Sequence, residues 1–233
     1  MSRVLKFQPV HPAVLSLLAV AALFLLVQDL SGQTVVDKTV ATVSDGIRTE
    51  LITYSDLKWQ LAMQPGITLN PPRSEDLNIA LNLLINQRIF ALEAERIPRD
   101  PPGEKEVADE INRILAQFPS AAEFERRLRA VGFESVRDDN FERLIAKRVA
   151  IEKYLDFRFR SFIVNTPEEV ARYYNNVFVP DFRRRFPGLL MPTLDERRDE
   201  IGRQLTEAKL LENIEAYLDD TKRRVEIVVL KPV

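Results

Sequence analysis

The chain has 233 residues, 45% hydrophobic and 29% charged, with a formal net charge of −2, which is enough apolar material for a substantial core beneath a solvated surface. This near-neutral balance argues against a nucleic-acid partner, because binding a phosphate backbone calls for a basic excess. There is no cysteine and one histidine, His11, which sits in an N-terminal leader, so the rest of the chain has no thiol nucleophile, redox pair, thiolate zinc site or Ser-His-Asp triad. Neither G-x-x-x-x-G-K-[ST] nor G-x-G-x-x-G occurs, so no nucleotide cradle is expected. Carboxylate and Ser-Lys chemistry stay open in principle, and a carboxylate-dependent enzyme is a third reading with only the acidic residue count behind it. The expectation is a protein that is not an enzyme and that uses no cofactor and no metal.

Residues 1–32 read as a targeting segment. Arg3 and Lys6 precede the uninterrupted apolar run Ala13 to Val27, which fits a signal peptide and falls short of the ~20 residues needed to span a bilayer. Gln28-Asp29-Leu30-Ser31-Gly32 offers a cleavage point after Gly32, although Leu30 is a poor residue three positions earlier. An uncut signal anchor therefore stays open beside a cleaved signal peptide. Residues 33–233 are expected to form one domain, periplasmic or otherwise exported, free if the signal is cleaved and tethered to the inner membrane if it is not.

In chain order, Val35 to Thr53 reads as a β-hairpin about the turn Asp45-Gly46. Thr53 and Asp56 mark a helix start, and Leu57 and Leu61 give that helix an inner face up to Pro65-Gly66. After Asn70-Pro71-Pro72, Ser74 is expected to cap a helix whose apolar positions recur from Leu77 to Ile97. Ile79, Leu83 and Phe90 widen its stripe and predict burial on more than one side. Helices follow over Glu104 to Phe118, Ala121 to Val131 (ending at Gly132) and Ser135 to Phe159. Thr166-Pro167-Glu168-Glu169 is a sharp helix start. Thr193 caps a last helix that hands over to the β-rich run Val225 to Leu230. A lone strand is not stable, and its available partner is the early hairpin. The expected fold is mainly α, a multi-helix domain with a small sheet made from the N-terminal hairpin and the C-terminal strand.

That order of elements resembles the N-terminal, substrate-holding module of SurA-like periplasmic chaperones, with a wider likeness to PrsA-type foldases and the chaperone portion of trigger factor. The segments carrying it are Val36 to Gly46 (VDKTVATVSDG), Leu83 to Ile89 (LLINQRI) and, most specifically, Ile163 to Tyr174 (IVNTPEEVARYY). The resemblance implies ATP-independent capture of unfolded or nascent exported polypeptides, outer-membrane proteins among them. Such proteins commonly carry a parvulin domain between the tyrosine helix and the last helix. Here only Asn175 to Met191 lies there, too few residues to fold as a domain, and the parvulin site uses histidines. Prolyl isomerase activity is therefore not expected. The alternative function is a membrane-associated adaptor or assembly factor docking on one specific partner.

A holdase without nucleotide needs shallow apolar anchors on its surface. Trp59 and Met63 lie four apart, off the Leu57/Leu61 line, as either client anchors or core residues. Phe118, Phe124 and Phe133, near helix ends, have the same two readings. Phe178, Phe182 and Phe186 recur at fours around Arg183-Arg184-Arg185. They fit an amphipathic helix closing a groove, a basic-aromatic patch for acidic clients or lipid headgroups, or a linker helix with a solvated charged face. Asp138-Asp139 and Asp219-Asp220 read as surface or capping charges, since neighbours on a helix point in different directions.

Overall fold

Strands from opposite ends of the sequence share one sheet. In the computed structural model, which describes residues 37–97, 100–230 and 233, β1 (Thr39–Ser44) pairs antiparallel with β2 (Thr49–Thr53) and with β3 (Glu226–Val229), in the order β2-β1-β3. The expected leader, residues 1–32, lies outside the described residues. The hairpin turns where the sequence predicts: Gly46 adopts φ +85°, and the Asp45 carboxylate accepts from the backbone N–H of Ile47 at 3.0 Å and Arg48 at 2.8 Å. Those two amides, with Arg96, hold the Asp45 carboxyl well below the usual carboxylate range.

Helix α1 (Tyr54–Ala62) begins without a loop. Thr53 Oγ1 accepts from Asp56 N at 3.2 Å while Asp56 Oδ2 accepts from Thr53 N at 2.9 Å, a reciprocal cap that turns the chain from strand to helix in one residue. Alternation along the strands buries Ala41, Val43 and Ile52 against α1 and α2 (Ser74–Ala94), where Leu57, Leu61, Leu81, Leu84, Ile85 and Ile89 complete a first core. Each valine, leucine or isoleucine among them contributes about 1.5–3 kcal/mol by leaving water.

A second core lies on the other side of α1. It gathers Ala62 and Met63 with apolar residues of α3 (Glu104–Leu115), α4 (Ala121–Ala130) and α5 (Asp139–Arg158). Gly132, at φ +100°, ends α4 as expected and returns the chain so that Phe133 meets Phe141, with ring centroids 5.3 Å apart. From α5 the chain runs into an arm: α6 (Pro167–Tyr173), a wider π-helical turn (Tyr174–Phe178) and α7 (Val179–Arg185). Helix α8 (Leu194–Lys222) then returns to the sheet, spanning about 43 Å at 1.5 Å per residue. Only Ile201, Leu210 and Thr221 of it are buried, so it acts as a strut along the bundle. No described helix is long and apolar enough to cross a membrane.

The protein is therefore mainly helical with a small three-stranded antiparallel sheet, and its last strand closes onto its first. Three local expectations are corrected. Ser74 does not cap α2: Arg73 occupies the cap position without a side-chain bond to the backbone, and its guanidinium instead clamps Asp76 at 2.7 and 2.9 Å. Helix α5 starts at Asp139, not Ser135, because the Asp138 carboxylate caps it by accepting from Asn140 N at 2.8 Å and Phe141 N at 3.3 Å. The stripe of α2 is narrower than its composition suggests: Phe90 is buried, but Ile79 is 50% and Leu83 40% exposed.

Candidate functional site

The arm is sparsely covered: of its three helical pieces only Val170 is buried. Its root is well fastened. Thr166 Oγ1 accepts from Glu169 N, and Glu169 accepts back from Thr166 N, so Pro167 enters the first turn where its missing N–H costs nothing. Lys209 of α8 donates to Glu169 at 2.7 Å and to the Val164 carbonyl at 2.8 Å. Asn165 Nδ2 donates to Gly202 O at 2.9 Å and Thr206 Oγ1 at 2.8 Å. Arg160 spans Asp156, at 2.8 Å, and Glu207. Lys209 first, with the Thr166 amide, lowers the Glu169 carboxyl below its ordinary value, and Arg160 does the same to Glu207.

Beyond Tyr173 the packing thins. Pro180 lies in the first turn of α7 and has no N–H to give to the preceding turn, and the backbone there widens to π spacing, a usual way to absorb such an interruption. The four-residue spacing survives it, stacking Tyr174 on Phe178 at 5.6 Å, Phe178 on Phe182 at 5.7 Å, and Phe182 against Phe186 at 5.2 Å. Tyr174 fixes the ladder's inner end by donating to the Pro192 carbonyl at 2.6 Å. Arg197 of α8 lies over the Phe178 ring, 5.7 Å from its centroid. With no third layer outside these rings among the described residues, an open groove of about 710 Å³ runs between them and α8, lined by Val177, Phe178, Phe182, Phe186, Arg185 and Arg197 among others.

At the tip Gly188, with φ +88°, turns the chain and presents Leu189 and Leu190 to solvent, 64% and 93% exposed. Phe162, Val164, Val177 and Phe186 are also exposed. Together these six residues leave the arm and its root with much uncovered large apolar side chain. The basic run is partly neutralised: Arg184 and Arg185 both pair with Asp181, the second at 3.0 Å, while Arg183 stands exposed without an ion pair among the described residues.

The anchors expected from sequence divide accordingly. Phe178 and Phe182 are half-buried in the ladder and border the groove. Met63, Phe118, Phe124 and Phe133 are not surface anchors: all are buried and fill the second core. The rings of Phe118 and Phe124 lie 4.7 Å apart, and those of Phe124 and Phe141 5.9 Å. Trp59 is half-buried at the edge of that core, 5.1 Å from Phe133, with Nε1 donating to the Val131 carbonyl at 3.1 Å. Leu189 and Leu190 were not singled out by periodicity. Their signal was an apolar pair directly after Pro187-Gly188, a turn that leaves its successors outside any helix face.

No protein-family model matches this chain. No curated protein matches it either. Among the described residues no cluster of three or more histidine, cysteine, aspartate or glutamate side chains could hold a metal ion. Asp138 is a helix cap and Asp220 pairs with Arg223 at 3.0 Å and Arg224 at 3.3 Å, so these carboxylates have structural partners. Shallow apolar surface, a row of aromatic faces and a few arginines suit the side chains of a flexible polypeptide.

Proposed function

We propose that this protein is an ATP-independent chaperone that holds unfolded or partly folded exported polypeptides, outer-membrane proteins among them, and has no prolyl isomerase activity. The observation that carries this reading is the arm. A ladder of half-exposed rings borders a groove, and Leu189 and Leu190, which follow it in the chain, stand uncovered. Uncovered apolar surface of this kind costs solubility unless something uses it. Several shallow anchors on a mobile client, offset by the entropy of ordering it, give affinities on the order of micromolar, so release needs no energy source. The sequence resemblance to the substrate-holding module of SurA-like chaperones supports the same reading. Residues 175–191 are taken up by the end of the arm and its loop, which supports leaving isomerase activity out.

The test is suppression of aggregation of several unrelated, chemically unfolded clients, including an outer-membrane β-barrel, without nucleotide. The full chain is expected to slow all of them, and the double variant Leu189→Ser/Leu190→Ser to slow them less. Failure to slow any at molar excess removes the proposal. Activity toward one client only would favour the adaptor reading, to which the concentration of apolar residues at the arm's tip also lends itself. Catalysis of prolyl isomerisation in a model peptide would overturn the isomerase claim.

A further inference from the structure

The two edges of the sheet are finished differently. In the β1–β2 pairing Asp45 N donates to Arg48 O at 3.1 Å, and alternation from there turns the backbone groups of Leu51 and Thr53 outward. One group of each is occupied by a side chain. Arg88 Nε donates to Leu51 O at 3.2 Å, and Thr53 N donates to Asp56 Oδ2 at 2.9 Å. Arg88 is itself held by Asp56 at 3.3 Å and Glu50 at 3.7 Å, so this covering is fixed in place.

The β3 edge has no such covering. Leu230 N donates to Val40 O at 2.8 Å and Val228 lies opposite Thr42. The intervening residues, Ile227 and Val229, therefore point their N–H and C=O groups away from β1. Among the described residues no side chain bonds to them. Val228, Val229 and Leu230 are 38%, 52% and 53% exposed, which leaves an apolar edge whose outward donors and acceptors have no side-chain partner among the described residues, the template onto which another strand adds.

We infer that β3 takes an extended segment of a bound polypeptide as a fourth strand of the sheet. This rests on the polypeptide-binding reading above and adds a second locus to it. A second copy of the chain is the poorer occupant. A four-residue strand is about 13 Å long, and pairing two of them buries far less than the ~800 Å² per partner of a stable interface. An unfolded chain can add area elsewhere. The arm's tip immediately precedes α8 and β3 follows it, so the two loci lie at opposite ends of a helix about 43 Å long. About 13 extended residues bridge that distance, and a chain held at one end meets the other at high effective concentration. Main-chain bonding at β3 is indifferent to sequence, as a broad client range requires.

The probe is a short, soluble, fluorescently labelled peptide of alternating valine and threonine with a lysine at each end, titrated into the full chain and read by anisotropy. Val229→Pro tests the edge itself: the Val229 N–H is not in the ladder, so proline there removes only the outward donor. The peptide is expected to bind the wild type and to bind Val229→Pro roughly tenfold more weakly or worse, with the circular dichroism spectrum unchanged. The same peptide N-methylated through its central residues should fail to bind the wild type, a readout independent of whether the variant folds. Equal binding by the variant and by the methylated peptide overturns the inference. Aggregation suppression retained in full by Val229→Pro removes the edge but leaves the chaperone reading. Absence of suppression by the wild type removes that reading itself. A dimer in light scattering that Val229→Pro dissolves would assign the edge to a second copy and overturn the client.

Discussion

The Tyr217 hydroxyl donates to Glu93 Oε2 at 2.6 Å, joining the strut helix α8 to α2 across 124 residues of sequence. Having spent its hydrogen there, Tyr217 accepts from Tyr154 of α5 at 3.0 Å. Its ring is met edge-on by Phe159 at 5.3 Å and covered by the Arg158 guanidinium at 5.0 Å. Glu93 is buried and also meets Arg96, at 3.3 Å, which continues to Asp45 in the hairpin turn at 3.1 Å. Burial first, then the bond to Glu93, pushes the Tyr217 hydroxyl far above its usual range. One chain of polar contacts thus ties three helices and the sheet.

Tyr217→Phe should therefore destabilise the fold by about 1–3 kcal/mol, the cost of depriving a buried carboxylate of a donor. The shift of the urea midpoint measures it. Glu93→Gln in the same background should add less than it costs alone, because the two groups share one bond.

Arg127 should be less replaceable than an arginine usually is. Its guanidinium donates to the carbonyls of Leu61, Ala62, Gln64 and Ile67, at 2.8 to 3.0 Å, and so satisfies the end of α1 and the loop after it. Desolvation lowers its pKa, yet among the described residues no carboxylate pairs with it within ion-pair distance. Arg127→Leu should cost about 3 kcal/mol, and Arg127→Lys should recover little, since a point ammonium cannot bridge a fan of acceptors. Amide exchange across residues 61–67 is expected to accelerate in both variants.

Phe124→Ala should cost about 3–5 kcal/mol, because the ring is fully buried between Phe118 and Phe141. Leu190→Ser, at a 93% exposed position, should stay within about 0.5 kcal/mol of the wild type. Comparing the two by thermal denaturation separates core aromatics from arm residues, which sequence alone does not.

Acid should loosen the arm's root. Glu169 and Glu207 are held below their ordinary value of 4.5 by Lys209 and Arg160. A depressed folded-state pKa contributes stability above the unfolded value, and that contribution is lost as pH falls through the folded one. Fastening of the arm should thus be complete above about pH 5 and weaken below 4.5, read as rising amide exchange in residues 160–173. Lys209→Met should remove the part of that pH dependence that Lys209 confers through Glu169 and leave the part due to Arg160 and Glu207.

Much of this fold was legible because its signals are local. Thr53, Thr166 and Thr193 cap the helices that they precede, each with an acid three residues on that reaches back, and Gly46 and Gly132 turn the chain where a positive φ is needed. Signals that depend on what lies opposite were not legible. The period of α2 gives the direction of its buried face but not its width, so Ile79 and Leu83 read as core and are not. Met63, Phe118, Phe124 and Phe133 interrupt polar stretches as surface anchors would, and only the fold's bringing α3, α4 and α5 around the end of α1 makes them a core. The arm is the converse case. Its aromatic spacing was visible, but Leu189 and Leu190 belong to no periodic face, and their exposure follows from the absence of a neighbouring layer.

The pairing of β3 with β1 also sets the order in which the molecule can be completed. A chain that emerges amino end first exposes Ala41 to Ser44 long before Glu226 to Val229 exist to pair with them. The helices can form on local contacts as they appear, but the second ladder must wait for nearly the whole sequence, and contacts of such separation are slow to form. Through that interval the first strand has one bare edge, the same hazard that the finished molecule relieves in its clients if the proposed function holds. The protein begins its own life as the kind of chain it is proposed to hold.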